Sequence, residues 1–228
     1  MALTTWTPFQ RRRRMAARIA LYGSLVIVGG ITWALVTFLN RPLQGGAQRW
    51  ANLDYPNLPE VRLLRDYVRI DTSEATGDEI KGARFLAAKL EKEGIPARIE
   101  VVGDRKANLY ALLEGEDKHP LVLHNHIDVE KVDPSEWSHP PFEGFIEVPW
   151  IHGRGVFDMK SVAVAQLLAM VDLKKSGQPL KRSVLFLATS SEERGSRLGV
   201  RRILREQPEL AKSIWAVLTE GGVVEARA

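Results

Sequence analysis

Apolar residues recur along this chain in three distinct rhythms. Between Ile19 and Leu39 they form one block, "IALYGSLVIVGGITWALVTFL", that no charged residue interrupts. A helix needs about 20 such residues to cross a bilayer. Arginines cluster before the block and thin out after it, which orients the N-terminus toward the cytoplasm and the rest outside it. A cleaved signal peptide is the competing reading, helped by the small residues Gly45-Gly46-Ala47. Its apolar region is usually about 7–15 residues, shorter than this block. A buried core helix fits poorly behind an arginine cluster. The pattern therefore predicts a basic cytoplasmic tail (1–18), a single transmembrane anchor (19–39), a linker (40–56) and one domain (57–228). The domain would lie in the periplasm, a lumen or the extracellular space.

Beyond residue 57 the rhythm alternates. "LPEVRLLRDYVRI" (58–70) and "GDEIKGARFLAAKLEKEG" (77–94) carry apolar residues at helical spacing, with Pro59 suited to a first turn and Gly94 to a stop. "ARIEVV" (97–102) and "NLYALLE" (108–114) read as strands joined by a Gly-Asp turn. "PLVLHNHID" (120–128) and "SVLFLAT" (183–189) open as the continuous apolar runs of buried strands. Helices are predicted over 159–177 and 197–207, and a last strand in "SIWAVLTEGG" (213–222). Between residues 133 and 155 lies a long proline-rich loop. Strands separated by helix-length connections predict a layered α/β/α sandwich with a mostly parallel mixed sheet.

Composition narrows the chemistry. The 228 residues include no cysteine, which excludes disulfides, thiolate metal sites and a thiol nucleophile. The net charge of +4 misleads, because Arg11, Arg12, Arg13, Arg14, Arg18, Arg41 and Arg49 all precede residue 50 and no acid does. The remainder is slightly acidic, whereas a nucleic-acid binder carries its basic patch on the folded domain. No G-x-S-x-G or phosphate-loop motif occurs.

Four polar sites recur at or just beyond the C-terminal ends of elements. His126 and Asp128 follow "LVL", Asp158 follows "GRGVF", Glu192 and Glu193 follow "VLFLAT", and Glu220 follows "AVLT". A Glu-Glu doublet by itself more often marks a solvated helix start, where negative charge suits free N–H groups. Here the doublet joins other carboxylates beyond the C-terminal ends of elements, where open α/β sheets bind ligands. Carboxylates gathered there repel one another unless a cation neutralises them. One imidazole with several carboxylates and no sulfur suits zinc, cobalt or manganese.

"HNHID", "GRGVFDMKS", "SSEERGS" and "TEGG" occur in the order and approximate spacing of the M20 family of metallopeptidases, which the chain resembles over residues 58–228. That family includes aminoacylases, Gly-X carboxypeptidases, dipeptidases and succinyl-diaminopimelate desuccinylases. The resemblance implies two divalent metal ions, zinc in the first instance with cobalt or manganese as alternatives. His126 and Glu220 would hold one ion, Glu193 the other, and Asp158 would bridge them. Asp128 would orient the His126 imidazole, and Glu192 would act as general base on the attacking water. The implied activity is hydrolysis of amide bonds in small peptides or N-acyl amino acids. Glu220 in "TEGG" resembles the aminoacylase and Gly-X carboxypeptidase branch, which has membrane-anchored members.

The pattern also departs from the family. Ser191 stands where an acidic residue usually precedes the Glu-Glu pair. Family members are about twice as long, with an inserted lid or dimerisation domain after the strand near Glu220 and a later metal-binding histidine. These 228 residues are thus expected to correspond to the first portion of such an enzyme and to be weakly active alone, with any homodimer formed through the lid. A non-catalytic membrane-tethered binding protein and an aminopeptidase or dipeptidase with the same metal core are the rival readings. His124 is expected to lie outside the ligand set, His139 and His152 to make loop contacts, and Arg154 to pack the loop. Trp137, Trp150 and Phe142 are expected under that loop.

Overall fold

The computed structural model describes residues 53–74 and 76–220. The predicted tail and anchor, most of the linker and the end of the "TEGG" motif lie outside the described residues. Among the described residues no helix is long and apolar enough to cross a membrane.

Helix α1 (Pro59–Val68) opens on the predicted proline. Helix α2 (Glu79–Lys92) begins where the Asp78 side chain accepts a hydrogen bond from the Lys81 N–H at 3.1 Å. This occupies one of the free donors of the first turn. It ends at Gly94, whose φ of +73° reverses the chain so that Ile95 N–H donates to Leu90 O at 3.0 Å. Strands β1 (Ala97–Gly103), β2 (Lys106–Leu113) and β3 (Asp117–His126) follow, then a small hairpin of β4 (Phe145–Glu147) and β5 (Trp150–His152). An irregular turn over Val156–Lys160 leads into helix α3 (Ser161–Ser176), strand β6 (Arg182–Thr189), helices α4 (Val200–Glu206) and α5 (Pro208–Ser213), and strand β7 (Ala216–Leu218).

The main sheet has the order β1-β2-β6-β3-β7. It is evenly mixed rather than mostly parallel, with β1–β2 and β2–β6 antiparallel and β6–β3 and β3–β7 parallel. Connection length explains the difference. The turn at Gly103–Arg105 is too short for anything but a hairpin, whereas α3 supplies the crossover that a parallel neighbour requires. Strand β6 inserts between β2 and β3, and its continuous apolar run suits that central place.

Alternation divides the sheet into two faces. Leu109, Ala111, Leu123, Val184, Phe186 and Ala188 pack in the core formed with α1, α2 and α3. Tyr110, Val122, Leu185 and Leu187 point the other way, toward Ile203 of α4 with Leu210 and Ile214 beside it. Phe186 is fully buried, and truncating such a ring to alanine costs about 3–5 kcal/mol.

Two local differences from the sequence pattern have clear causes. The expected 197–207 helix is shorter, and Pro208 starts a second helix after Gln207 takes φ −128° and ψ 56°. Proline disfavours helical geometry in the residue before it. The hairpin β4–β5 lies within the proline-rich loop, where three-residue strands are too short to show a period.

Candidate metal centre

His126 is the last residue of β3 and is fully buried. Its Nδ1 lies 2.8 Å from the backbone oxygen of Asp128. A carbonyl can only accept, so Nδ1 carries the hydrogen and the Nε2 lone pair faces outward. Nε2 lies 2.9 Å from Asp158 Oδ1 and 3.9 Å from Glu220 Oε1. A lone pair facing two carboxylates is repulsive unless a proton or a cation stands between them.

Asp158 sits in the Val156–Lys160 turn with φ −114° and ψ 99°, outside helical geometry. Gly155 opens the turn at φ +76°, and a Cβ there would lie 2.3 Å from Val129 Cγ1. The second glycine of "GRG" is therefore required both by backbone hand and by space. Behind Asp158, the buried Lys160 donates to Tyr67 O at 3.1 Å and Ile70 O at 2.7 Å. These bonds fasten the turn to the C-terminal end of α1. The lysine stands inside a quoted motif, but nothing in the local pattern shows what it touches.

Glu192 and Glu193 occupy a 3-10 turn (Glu192–Arg194) just past β6, entered through Ser191 at φ +61° and left through Gly195 at φ +77°. The Asp128 carboxylate, itself fully buried, accepts the Glu192 N–H at 2.9 Å and the Glu193 N–H at 3.0 Å. Its Oδ1 is 3.7 Å from His126 Nδ1. Asp128 thus touches the imidazole through its backbone carbonyl, while its carboxylate aims the glutamate turn.

Two overlapping groups of donor atoms result, each within 4.8 Å of one another: His126 with Asp158 and Glu220, and His126 with Glu192 and Glu193. The structure thus brings together all the residues proposed as ligands or base. Asp158 lies with His126 and Glu220, whereas Glu193 joins the centre beside the imidazole. Burial first, then the charges of Asp158, Asp128 and Glu130, push the Glu193 carboxyl up to about 7, against the pull of His126. Burial also raises Glu220, with Asp158 and Glu192 adding to it. For His126 burial opposes the charged form, yet Asp128, Asp158 and Glu220 outweigh it and raise its pKa. Carboxylates crowded in this way are relieved by a divalent cation, and the nitrogen–oxygen donor set fits zinc, cobalt or manganese.

The neighbouring histidines are otherwise engaged. His124 Nδ1 lies 2.9 Å from Thr219 Oγ1 and Nε2 3.0 Å from Thr189 Oγ1. Burial, with the adjacent His126, depresses its pKa to about 4. His139 stacks on Phe145 with centroids 3.8 Å apart, and His152 tilts beside both. Arg154 lies over Trp137 at 5.3 Å and its Nη2 approaches Lys131 O at 3.4 Å, a loop-packing role. Phe142 is half-buried, and Trp150 is exposed at the surface rather than under the loop.

Comparisons with known proteins point the same way. Residues 122–227, which include every residue of the centre, match Peptidase family M20/M25/M40. A probable succinyl-diaminopimelate desuccinylase of Staphylococcus epidermidis is 35% identical over 135 residues, covering 59% of this chain and 33% of that protein. Aminoacylase-1 of Sus scrofa is 31% identical over 169 residues, covering 72% of this chain and 41% of that protein. An M20 family metallo-carboxypeptidase of Sulfolobus solfataricus superposes with a TM-score of 0.63 at 30% identity, over 72% of this chain and 38% of that one. Human carnosine dipeptidase 1 shares the fold, with a TM-score of 0.59 at 18% identity over 72% of this chain and 38% of that one. The chain spans 33% and 41% of the length of the two curated relatives.

Proposed function

We propose that this chain, whose residues 122–227 match Peptidase family M20/M25/M40, is the metal-bearing portion of a membrane-anchored hydrolase. Its substrates would be small peptides or N-acyl amino acids, cleaved at an amide bond as in a carboxypeptidase or aminoacylase. The observation that carries this reading is the convergence of Asp158, Glu192, Glu193 and Glu220 on the one buried imidazole of His126. The names of the desuccinylase, aminoacylase and metallo-carboxypeptidase relatives support amide hydrolysis.

His126, Asp158 and Glu220 would hold one divalent ion, and Asp158 and Glu193 would hold a second. Bound ions would supply Lewis acidity to the scissile carbonyl and acidify the attacking water. Glu192 accepts the proton of that water and delivers it to the departing nitrogen. Asp128 keeps the amides of Glu192 and Glu193 in register, so base and ligand stay on the same side of the imidazole. The apolar block 19–39 would anchor the protein with its N-terminus in the cytoplasm and this domain outside it.

Glu192→Gln tests the catalytic assignment. In the full protein in native membranes it is expected to retain bound metal and lose hydrolysis of N-acyl amino acids or blocked dipeptides. Unchanged turnover, or turnover that survives a chelator, would contradict the reading. Protease added to the non-cytoplasmic face should degrade the domain in sealed vesicles; protection there would reverse the topology.

A further inference from the structure

The turn that carries Glu192 and Glu193 is held from two sides, and the second support comes from a distant loop. Arg194 follows Glu193 directly, and its Nε lies 2.5 Å from Glu74 Oε2. The Glu74 side chain is only 10% exposed, whereas that of Arg194 is 64% exposed. The acid is therefore fixed in the protein, and the arginine reaches inward to it. Glu74 Oε1 also faces Lys106 Nζ at 3.9 Å, and Lys106 pairs with the fully buried Glu79.

The backbone of the same loop grips the strand end that carries His126. Glu74 N–H donates to Val129 O at 3.0 Å, and Val129 N–H donates to Thr72 O at 3.2 Å. Ser73 and Val129 form a short parallel bridge. These contacts close a ring. Glu74 holds Val129, Val129 continues from Asp128, Asp128 holds the amides of Glu192 and Glu193, and Arg194 returns to Glu74. The end of β3 that carries His126 and the turn after β6 that carries Glu192 and Glu193 are thereby fixed relative to each other.

We propose that the Glu74–Arg194 ion pair is a positioning latch that sets the Glu192–Glu193 turn against His126. It touches neither substrate nor metal. Its effect on metal rests on the metal-centre reading above, but its effect on the turn does not. With its arginine 64% exposed, the pair contributes little to global stability. Its loss is therefore felt where the turn must meet the imidazole, and groups that orient metal ligands commonly change metal affinity by about 10–100-fold.

The test uses the full chain with cobalt(II) as probe, comparing the parent with Glu74→Gln, Arg194→Gln and the double variant. Each single variant is expected to bind cobalt about tenfold more weakly and to shift its visible absorption bands, with the urea midpoint near that of the parent. The double variant should match the singles, because one interaction has been removed twice, and Arg194→Lys should restore part of the affinity. In the metal-free chain, hydrogen exchange of the peptide spanning residues 189–196 should quicken in the single variants. Parent-like cobalt spectra and exchange would overturn the latch. So would losses that add in the double variant or that track a fall in the urea midpoint. A parent that binds no cobalt would refute the metal centre, and the exchange measurement would still judge the latch.

Discussion

Replacing Asp128 by asparagine separates two roles that one residue could fill. Its carboxylate accepts two backbone N–H groups in a fully buried setting, at 2.9 and 3.0 Å. Hydrogen bonds to charged groups are each worth about 1.5–3 kcal/mol. Asparagine keeps one acceptor and turns a donor toward the other amide, so one bond is lost and one buried N–H is left unpaired. Relief of the repulsion that Asp128 exerts on Glu79 and Glu193 offsets part of this. The net cost should be about 2–3 kcal/mol, and about 4 kcal/mol for Asp128→Ala, which removes both acceptors. With a urea slope of about 2 kcal/mol/M, the midpoint of metal-free Asp128→Asn should fall by about 1 M. The His126 Nδ1 signal in a nitrogen NMR spectrum should stay that of a protonated nitrogen, since the carbonyl partner survives. A midpoint within about 0.2 M of the parent, together with a changed tautomer, would show that the carboxylate serves the imidazole rather than the turn.

The buried Glu79 provides a pH test. Burial, then Asp128, raise its carboxyl from 4.5 to about 7, against Lys106 and Ser190. Between those values the native state holds a proton that the unfolded chain has released, so stability should fall as pH rises from 4.5 toward 7, by about 3 kcal/mol. Urea midpoints should fall less steeply across that window in Glu79→Gln than in the parent, the remaining slope coming from Glu193; an unchanged slope would refute the assignment. Gly155→Ala forces a Cβ to 2.3 Å from Val129 Cγ1 at φ +76° and should cost about 2 kcal/mol or more by thermal denaturation. Pairing it with Val129→Ala should recover only the steric part, leaving the backbone strain. His124→Gln should leave cobalt affinity within about twofold of the parent, because both its ring nitrogens already face threonines; a larger loss would place it in the metal centre.

Much of the architecture was legible where local chemistry dictates it. Gly94 stops α2 as read, because a left-handed residue acts within one turn of itself. The apolar run of β6 announced a buried strand, and the candidate ligand residues stood out because several carboxylates gather beyond the ends of elements. Strand direction was less legible, since the insertion of β6 between β2 and β3, antiparallel to one and parallel to the other, depends on contacts between distant segments. The helix at Pro208–Ser213 hid behind the proline that starts it. At the centre, residue identity was readable but partnership was not. Asp128 reaches the turn through its carboxylate and the imidazole through its backbone, and no spacing distinguishes the two. Glu74 and Arg194, like Lys160 beneath α1, meet only after the sheet is assembled.

The central question is whether the buried imidazole and its carboxylates hold a metal ion. Native mass spectrometry of the full chain after cobalt or zinc loading measures this most directly. The expected result is a bound divalent ion in the parent that is lost on chelation and in both His126→Ala and Asp158→Asn, with the folded charge-state pattern kept. A parent that gains no mass, or a His126→Ala variant that binds as the parent does, would contradict the metal centre at its origin.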